Sequence, residues 1–319
     1  MSQQYFNMSA STVKIFSGTG SYELAEKIAS SFGKNLGKGK LGKFSDGELS
    51  YRYTETVRGS DVYIIQSTVD GSDNIMELFL MIDAAKRASA KYVNVVIPYY
   101  GYARQDRKDK PRIAVSAKLM ANLLTASGAS RVVSCDLHAG QIQGFFDIPL
   151  DHLNGSSVFV PYVKSLKLNN VIFASPDAGG TERVRDYAKY FDCDFVICDK
   201  TREKANEVKS VQVIGEVRDK DVIIIDDLID TGGTIAMSSK VLIEKGSKSV
   251  RAIITHPVLS GNAEENLNNS ALTELVVTDS IPLKFRNKRI KVLSIARLIA
   301  KAIRKIHENE STSSLFINR

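Results

Sequence analysis

The chain repeats one local pattern in its two halves, and this repeat limits the folds that are open to it. Residues 57–65 (VRGSDVYII) align without a gap with residues 217–225 (VRDKDVIII), and six of the nine positions are identical. Residues 13–17 likewise resemble residues 171–175. In both halves the order of elements is strand, helix, strand, helix, strand, which is typical of a doubly wound parallel sheet. A chance match between two buried strands is the alternative explanation.

The repeat predicts an α/β protein made of two duplicated doubly wound parallel-sheet domains. We expect these domains to cover residues 1–155 and 156–319, with the join near residues 153–160. Apolar residues between Val292 and Ile306 are spaced by three and four. This spacing predicts a last amphipathic helix that packs on a core, on another subunit or back on the first domain.

Residues 222–234 (VIIIDDLIDTGGT) form the most informative motif. The apolar run predicts a strand buried on both faces, and Asp226 and Asp227 follow at its carboxyl end, where open α/β sheets bind ligands. The turn that follows consists of Asp230, Thr231, Gly232, Gly233 and Thr234. Backbone N–H groups in such a turn close around an anion at the start of a helix. A phosphorylated sugar fits both the acidic pair and the turn, because its hydroxyls can donate hydrogen bonds to the carboxylates and its phosphate can bind the backbone amides. An acidic surface turn is the alternative.

The first half lacks the acidic pair of this motif. It has Gln66 and Ser67 where the second half has Asp226 and Asp227. We therefore expect a sugar phosphate to bind only to the second half.

Two further strand ends carry side chains that suit a metal ion. His138 follows one predicted strand and Asp177 follows another. A histidine and an aspartate from separate strand ends can hold Mg²⁺ when water and substrate phosphates supply its other ligands. The second strand end also offers a second anion cradle, formed by Asp177, Ala178, Gly179 and Gly180. A structural, hydrogen-bonded histidine is the alternative for His138.

Lys200 and Arg202 follow the predicted strand 195–198 in a polar stretch without a clear period. Alternate residues of an extended segment point the same way. A mobile loop here would therefore aim both cations at a reacting phosphate. A solvated charged loop is the alternative.

The chain contains no Gly-x-x-x-x-Gly-Lys-Ser/Thr loop for nucleotide phosphates, so any nucleotide needs another pocket. Phe44 lies in a predicted turn with Asp46 and Glu48, and Arg104 follows the strand 93–97. An aromatic ring and a planar guanidinium suit a purine held between them.

Composition excludes several classes of partner. The formal net charge is +7, but the densest basic stretch, residues 104–112, is interleaved with aspartates. We therefore predict no nucleic-acid binding. There is no apolar run of membrane-spanning length and no pattern of a signal peptide, so we predict no membrane partner. The three cysteines are too irregular for a disulfide framework, which favours a cytoplasmic protein.

Taken together, these motifs resemble those of the ribose-phosphate pyrophosphokinases, also called phosphoribosyl diphosphate synthetases, of the phosphate-dependent class. The resemblance covers nearly the whole chain. The matching motifs are KFSDGE at 43–48, YARQDRK at 102–108, DLHA at 136–139, QIQGFF at 141–146, SPDAGG at 175–180 and DDLIDTGGT at 226–234. Phosphoribosyltransferases, whose type of fold the two domains would share, clearly have only the last motif.

The resemblance implies transfer of the diphosphoryl group of ATP to the anomeric hydroxyl of ribose 5-phosphate, which gives phosphoribosyl diphosphate and AMP. It implies one set of residues for each ligand. ATP would be bound by Phe44, Asp46, Gly47, Glu48, Arg104 and Gln105, and ribose 5-phosphate by Arg202, Asp226, Asp227, Asp230, Thr231, Gly232, Gly233 and Thr234. The diphosphate would be bound by Asp177, Ala178, Gly179 and Gly180, Mg²⁺ would be ligated by His138 and Asp177, and the catalytic residues would be Lys200 and Arg202. Phe44 and residues 46–48 would bind the ATP at the Arg104-Gln105 site of a neighbouring subunit. Catalysis would then require a homo-oligomer, and the family suggests a hexamer.

The resemblance also implies activation by phosphate and inhibition by ADP at an allosteric anion site between subunits. The residues of that site would be Arg58, Gln143, Asp151, Ser311, Ser313 and Phe316. Pro111 and His152 depart from the expected pattern beside it, which bears on the strength of regulation. Two rival functions are a phosphoribosyltransferase, which leaves Phe44 and Arg104 unexplained, and a non-catalytic regulatory subunit, which is expected to lack the loop cations or metal ligands.

Overall fold

The computed structural model describes residues 11–69, 71–204 and 207–317, and gives the backbone alone for residues 200–204 and 207–210. The strands are β1 Val13–Ser17, β2 Gly39–Lys43, β3 Leu49–Tyr53, β4 Asp61–Ile65, β5 Tyr92–Ile97, β6 Arg131–Cys135, β7 Leu150–Leu153, β8 Val171–Ser175, β9 Phe195–Lys204, β10 Glu207–Ile214, β11 Asp221–Ile229, β12 Ser249–Pro257, β13 Glu274–Thr278 and β14 Ile290–Leu293. The helices are α1 Tyr22–Phe32, α2 Ser72–Arg87, α3 Ser116–Ser127, α4 Ser156–Ser165, α5 Thr181–Phe191, α6 Gly233–Glu244, α7 Ala263–Asn268 and α8 Ala296–His307.

The two halves have the same strand arrangement. The first sheet has the order β1-β4-β5-β6-β7, and β8-β11-β12-β13-β14 have the same order in the second. Neighbouring strands in both sets pair in parallel. A hairpin follows the first of these strands in each half. It is the separate sheet β2–β3 in the first half, and in the second half β9–β10 joins the edge of the sheet. The predicted α/β fold with two parallel sheets is confirmed.

Strand β11 is central in its sheet, as the apolar run at residues 222–225 predicts. These four residues are buried, because β8 and β12 flank the strand and helices cover both faces. The strand is longer than predicted. Its pairing with β8 ends at Ile224, whereas its pairing with β12 continues to Ile229. Asp226 and Asp227 therefore extend past β8, which leaves that side of the strand open.

The expectation of a loop after residue 198 is wrong for the backbone. Strand β9 continues through Lys204 and pairs antiparallel with β10, with register shifts near the tip of the hairpin. Strand β9 pairs with β8 only as far as Ile197, and beyond that residue it pairs with β10 alone. This outer part of the hairpin has a polar sequence without an apolar alternation, so its extent could not be read from sequence.

The helix that follows the last strand of each parallel sheet packs on the other sheet. Phe159 of α4 is buried in one apolar cluster with Phe173 and Ile223 of the second sheet. Ile299 of α8 is buried with Ile28 of α1 and strand residues of the first sheet. The contact of α4 with the second sheet and the contact of α8 with the first sheet lie in separate apolar clusters, and together they connect the two halves. Helix α8 starts at Ala296, later than the predicted helical pattern, because the preceding residues form β14.

A buried polar network also joins the ends of the two sheets. The Asp136 carboxylate accepts hydrogen bonds from the Gly155 N–H (3.1 Å) and from the Thr255 hydroxyl. His256 Nε2 faces the carbonyl oxygens of Cys135 (3.1 Å) and Asp136 (3.2 Å). Because two carbonyl oxygens face Nε2, this nitrogen carries the proton of the neutral ring.

Candidate active site

The carboxyl ends of strands from both sheets surround one cavity of about 1520 Å³. Among the residues predicted for function, its lining includes Arg104, Gln105, His138, Asp177, Ala178, Gly179, Gly180, Asp226, Asp227, Asp230, Thr231, Gly232, Gly233 and Thr234. Ligands of open α/β sheets bind at such strand ends, so this cavity is the candidate active site. Phe44, Asp46, Gly47 and Glu48 lie instead in the turn between β2 and β3, where the Phe44 side chain is exposed.

The turn from β11 into α6 is built as an anion cradle. Gly232 has φ +74°, a conformation that costs a residue with a side chain about 1–2 kcal/mol. Asn266 Nδ2 donates to the Thr231 carbonyl oxygen (2.8 Å), which fixes the turn. The first N–H groups of α6 have no partner within the helix. They are therefore available to a phosphate at the helix N-terminus.

The start of this turn contacts the first half of the chain. Arg104 Nη1 donates to Asp230 Oδ2 (2.7 Å), and the Ser260 hydroxyl donates to Asp230 Oδ1. Burial would raise the pKa of Asp230, but the hydrogen bond from Ser260 and the contact with Arg104 hold it below its usual value. The structure thus joins a residue predicted for ATP to one predicted for ribose 5-phosphate.

The adjacent acidic side chains Asp226 and Asp227 have different surroundings. The Asp227 side chain is 5% exposed and both of its oxygens are bound, Oδ1 to Arg183 Nη1 (3.1 Å) and Oδ2 to His138 Nδ1 (2.9 Å). The Asp226 side chain is 24% exposed, and its Oδ1 accepts from the Asp227 N–H (2.9 Å). Both residues line the cavity, and Asp226 has the larger exposed fraction.

The two carboxylates also differ in pKa. Burial, together with the charge of Asp227, raises the pKa of Asp226 well above its usual value. Burial acts in the same direction on Asp227, but the hydrogen bond to His138 and the charge of Arg183 outweigh it and hold the pKa of Asp227 low. The bond to Asp227 in turn raises the pKa of His138.

Arg183 is a residue of the site that the sequence motifs do not predict. It lies in the first turn of α5, directly after the predicted diphosphate cradle, and its side chain reaches both members of the acidic pair. Its position three residues beyond the glycine pair was the available signal. An arginine on a helix face is usually solvated, so the sequence alone did not single it out.

The second cradle depends on small residues. Asp177 Oδ1 accepts from the Gly180 N–H (3.1 Å), which caps the short helical turn before α5. A Cβ at Gly180 would lie 2.8 Å from Ser175 Oγ. Glycine at this position therefore lets the turn pack tightly against the end of β8.

His138 and Asp177 fit a magnesium ion in part. Both line the cavity, and because Asp227 binds the Nδ1 atom of His138, the Nε2 atom is the one left for a metal. No cluster of three or more metal-ligating side chains is found among the described residues. This donor set suits an ion that takes its remaining ligands from water and substrate oxygens.

The side chains of Lys200 and Arg202 lie outside the described part of the structure. The backbone of both residues belongs to β9, and the preceding residue, Asp199, lines the cavity. Their predicted catalytic role remains a prediction.

The residues predicted for regulation fall into several places. Gln143 and Phe316 line the cavity. Asp151 binds Arg131 (2.5 Å) and accepts from the Thr312 hydroxyl (3.3 Å), next to Ser311 and Ser313, which contact each other (2.9 Å). Arg58 donates to Ser89 Oγ (3.1 Å). Their role in an anion site remains a prediction.

Comparison with known proteins identifies the family. Residues 13–128 match the N-terminal domain of ribose phosphate pyrophosphokinase, and residues 195–317 match the phosphoribosyl synthetase-associated domain. The ribose-phosphate pyrophosphokinase of Wolinella succinogenes is 53% identical over 305 residues, which cover 95% of this chain and 99% of that protein. The one from Porphyromonas gingivalis is 50% identical over 303 residues, with coverage of 95% and 97%.

A solved structure agrees with these sequence matches. The crystal structure of phosphoribosylpyrophosphate synthetase from Mycobacterium smegmatis aligns with a TM-score of 0.88 and 38% identity, and covers 93% of this chain and 99% of that one. The chain therefore belongs to the ribose-phosphate pyrophosphokinase family.

Proposed function

We propose that the cavity between the two sheets is the active site for the reaction of this family. That reaction is the synthesis of phosphoribosyl diphosphate, with AMP as the second product, from ATP and ribose 5-phosphate. One observation carries the proposal: an acidic pair, two backbone cradles and His138 converge on one cavity. Transfer of a diphosphoryl group needs alignment and charge neutralisation more than covalent help from the protein.

Ribose 5-phosphate is assigned to the end of β11. The amides of residues 231–234 and the N-terminus of α6 would bind its phosphate, and Asp226 would accept hydrogen bonds from its hydroxyls. Asp230 would hold the start of the turn. Asp227 is predicted for the same sugar, but its side chain is 5% exposed, which favours a different role.

The diphosphate is assigned to residues 177–180, next to the proposed ligands of Mg²⁺, His138 and Asp177. Magnesium bound there would neutralise charge on the phosphate oxygens. Lys200 and Arg202 would enter from β9 and stabilise the negative charge of the diphosphoryl group in the transition state of its transfer. Arg202 would also contact ribose 5-phosphate.

ATP is assigned to Arg104 and Gln105, with residues 44–48 supplied by the hairpin of a neighbouring subunit. The exposure of Phe44 at the tip of the β2–β3 hairpin supports this arrangement, because its ring is accessible to a neighbouring subunit. The proposal therefore includes a homo-oligomer, with a hexamer as the expected size. It also includes the domain boundary near residue 155, phosphate activation and ADP inhibition at the predicted anion site, and a cytoplasmic location. Among the described residues, no helix has the length and apolarity needed to cross a bilayer.

The test is to incubate the purified chain with ATP, ribose 5-phosphate and Mg²⁺ and to separate the products by chromatography. We expect AMP and phosphoribosyl diphosphate in equal amounts. A non-catalytic regulatory subunit would form neither, and a phosphoribosyltransferase would need a nucleobase and would release no AMP from ATP.

The same assay tests the residue assignments. Lys200→Ala is expected to lower turnover by at least about 100-fold, the effect of losing one preorganised electrostatic group. Lys240→Ala removes an exposed lysine from α6 and should leave turnover unchanged. Equal turnover in both variants would rule out the role given to Lys200.

A further inference from the structure

We infer that Asp227 is a positioning residue that orients His138 for the metal ion, and that it does not bind the ribose. The inference rests on the proposed function of the cavity and deepens it. It divides the adjacent pair Asp226-Asp227 into one residue for the sugar and one for the metal ligand.

The first argument is the capacity of the two carboxylates to take a ligand. Both oxygens of Asp227 are already bound, and 5% of its side chain is exposed. A ribose hydroxyl would have to displace Arg183 or His138, and either displacement leaves a buried charge without its partner. Asp226, in contrast, has 24% of its side chain exposed. We therefore assign the hydrogen bonds from the ribose hydroxyls to Asp226.

The second argument is what the bond does to His138. This residue follows β6 in the first sheet, and its own side chain is 39% exposed. The bond to Asp227, from the second sheet, holds the Nδ1 atom at 2.9 Å. It therefore fixes the ring orientation and leaves Nε2 as the ligand atom. A carboxylate behind a metal-binding histidine commonly has this effect, and losing it costs about 10–100-fold in metal affinity.

Arg183 completes the arrangement. Its Nη1 atom lies 3.1 Å from Asp227 Oδ1 and 3.5 Å from Asp226 Oδ1. The guanidinium compensates two adjacent carboxylates and keeps Asp227 turned towards His138. The metal ligand of one sheet is thereby fixed to the sugar-binding strand of the other.

The test compares Asp227→Asn with the matched variant Asp226→Asn in the full chain. Mn²⁺ binding is followed by the electron paramagnetic resonance signal of the free ion, with ribose 5-phosphate present and nucleotide absent. Sugar phosphate affinity is measured separately by calorimetry without metal. We expect Asp227→Asn to weaken Mn²⁺ binding by about tenfold or more and to leave ribose 5-phosphate affinity within about threefold. Asp226→Asn should do the reverse. The inference is overturned if Asp227→Asn weakens sugar binding and leaves Mn²⁺ binding unchanged.

A double variant separates a positioning role from a structural one. If Asp227 acts through His138, Asp227→Asn adds no further loss of Mn²⁺ affinity to His138→Gln, whereas additive losses contradict the inference. His138→Gln alone tests the proposed function: unchanged Mn²⁺ binding in that variant would remove His138 from the metal site altogether. Asp227→Glu keeps the charge beside Arg183 and is the second variant if Asp227→Asn does not fold. It should also weaken Mn²⁺ binding, because the longer side chain displaces the imidazole, and parental affinity would overturn the inference.

Discussion

Arg104 of the first half donates a 2.7 Å hydrogen bond to Asp230 of the second half, across the cavity between the two sheets. One residue is proposed for ATP and the other lies in the turn proposed for ribose 5-phosphate. The Arg104 side chain is 49% exposed, so water limits the ion pair to about 1 kcal/mol or less. A contact this weak can be broken at little cost, which is compatible with the proposed stacking of Arg104 on a purine ring.

Replacing Arg104 by Lys therefore tests the purine contact. Lysine keeps the charge and loses the planar face, so we expect the KM for ATP to rise about tenfold, which equals roughly 1.4 kcal/mol. The KM for ribose 5-phosphate should stay within about twofold, since the contact with Asp230 is weak. Steady-state kinetics with each substrate varied give both values. Arg87→Lys, at an exposed arginine on α2, is the control, and an unchanged KM for ATP would argue against stacking on Arg104.

The phosphate turn gives a prediction that depends on backbone conformation. Gly232→Ala places a side chain at φ +74° and should destabilise the fold by about 1–2 kcal/mol and weaken ribose 5-phosphate binding, because the strained turn moves its amides. Gly59 has φ +67° and a Cβ there would meet nothing within 4 Å, so Gly59→Ala matches the strain at a site remote from the cavity. Chemical unfolding and calorimetry distinguish the two variants. Equal sugar affinity in both would show that the turn does not hold the phosphate.

The strand-end motifs could be predicted from sequence because they are local. A buried apolar run followed by Asp226 and Asp227 identifies both the strand and the edge of the sheet where it ends. The same reasoning placed His138 and Asp177 at strand ends, and the structure brings all four to one cavity.

Contacts between distant side chains could not be predicted. Arg183 and Arg104 reach partners 44 and 126 residues away, and an arginine side chain has too many rotamers for its direction to follow from the sequence. The packing of α4 and α8, each on the sheet whose last strand it does not follow, could not be predicted for the same reason. Amphipathic spacing shows that a helix buries one face, but it does not show which of two similar cores receives that face.

The first half shows why a similar fold need not bind the same ligand. Glu77 of α2 is buried, and its carboxylate accepts hydrogen bonds from the Thr19 N–H (3.1 Å), the Thr19 hydroxyl (2.6 Å) and Gln66 Nε2 (2.9 Å). Thr19 lies in the turn after β1, which corresponds to the turn after β8 that is proposed for the diphosphate. The protein's own carboxylate thus takes the donors that a ligand anion would use.

Glu77→Gln should therefore destabilise the first half without affecting the sugar site. The amide presents an N–H group to donors that need an acceptor, and such a mismatch costs about 1–3 kcal/mol. Asp73→Asn, on the exposed side of the same helix, is the matched control and should change the free energy of unfolding by about 0.5 kcal/mol or less. The two variants are compared by denaturant unfolding at one protein concentration. Equal stability would contradict the view that Glu77 fills an anion cradle.

His256 predicts a loss of stability in mild acid. Burial lowers the pKa of His256 despite the opposing charges of Asp136 and Asp227, so the folded ring stays neutral where the unfolded ring, with a pKa of about 6.5, takes up a proton. The contribution of the neutral His256 ring to the free energy of unfolding is therefore fully present above about pH 6.5. Below that pH the contribution is lost, at up to about 1.4 kcal/mol per pH unit.

We expect the free energy of unfolding to fall between about pH 7 and pH 5.5, and His256→Gln to remove about 1 kcal/mol of that fall. Some dependence should remain, because burial also lowers the pKa of His152. Glutamine keeps an N–H donor for the carbonyl oxygens of Cys135 and Asp136 that face the imidazole. Urea unfolding at fixed protein concentration, repeated across this range, gives the difference between the two chains. Parallel curves for parent and variant would mean that the pKa of His256 is the same in the folded and unfolded chain, so that Asp136 and Asp227 offset its burial.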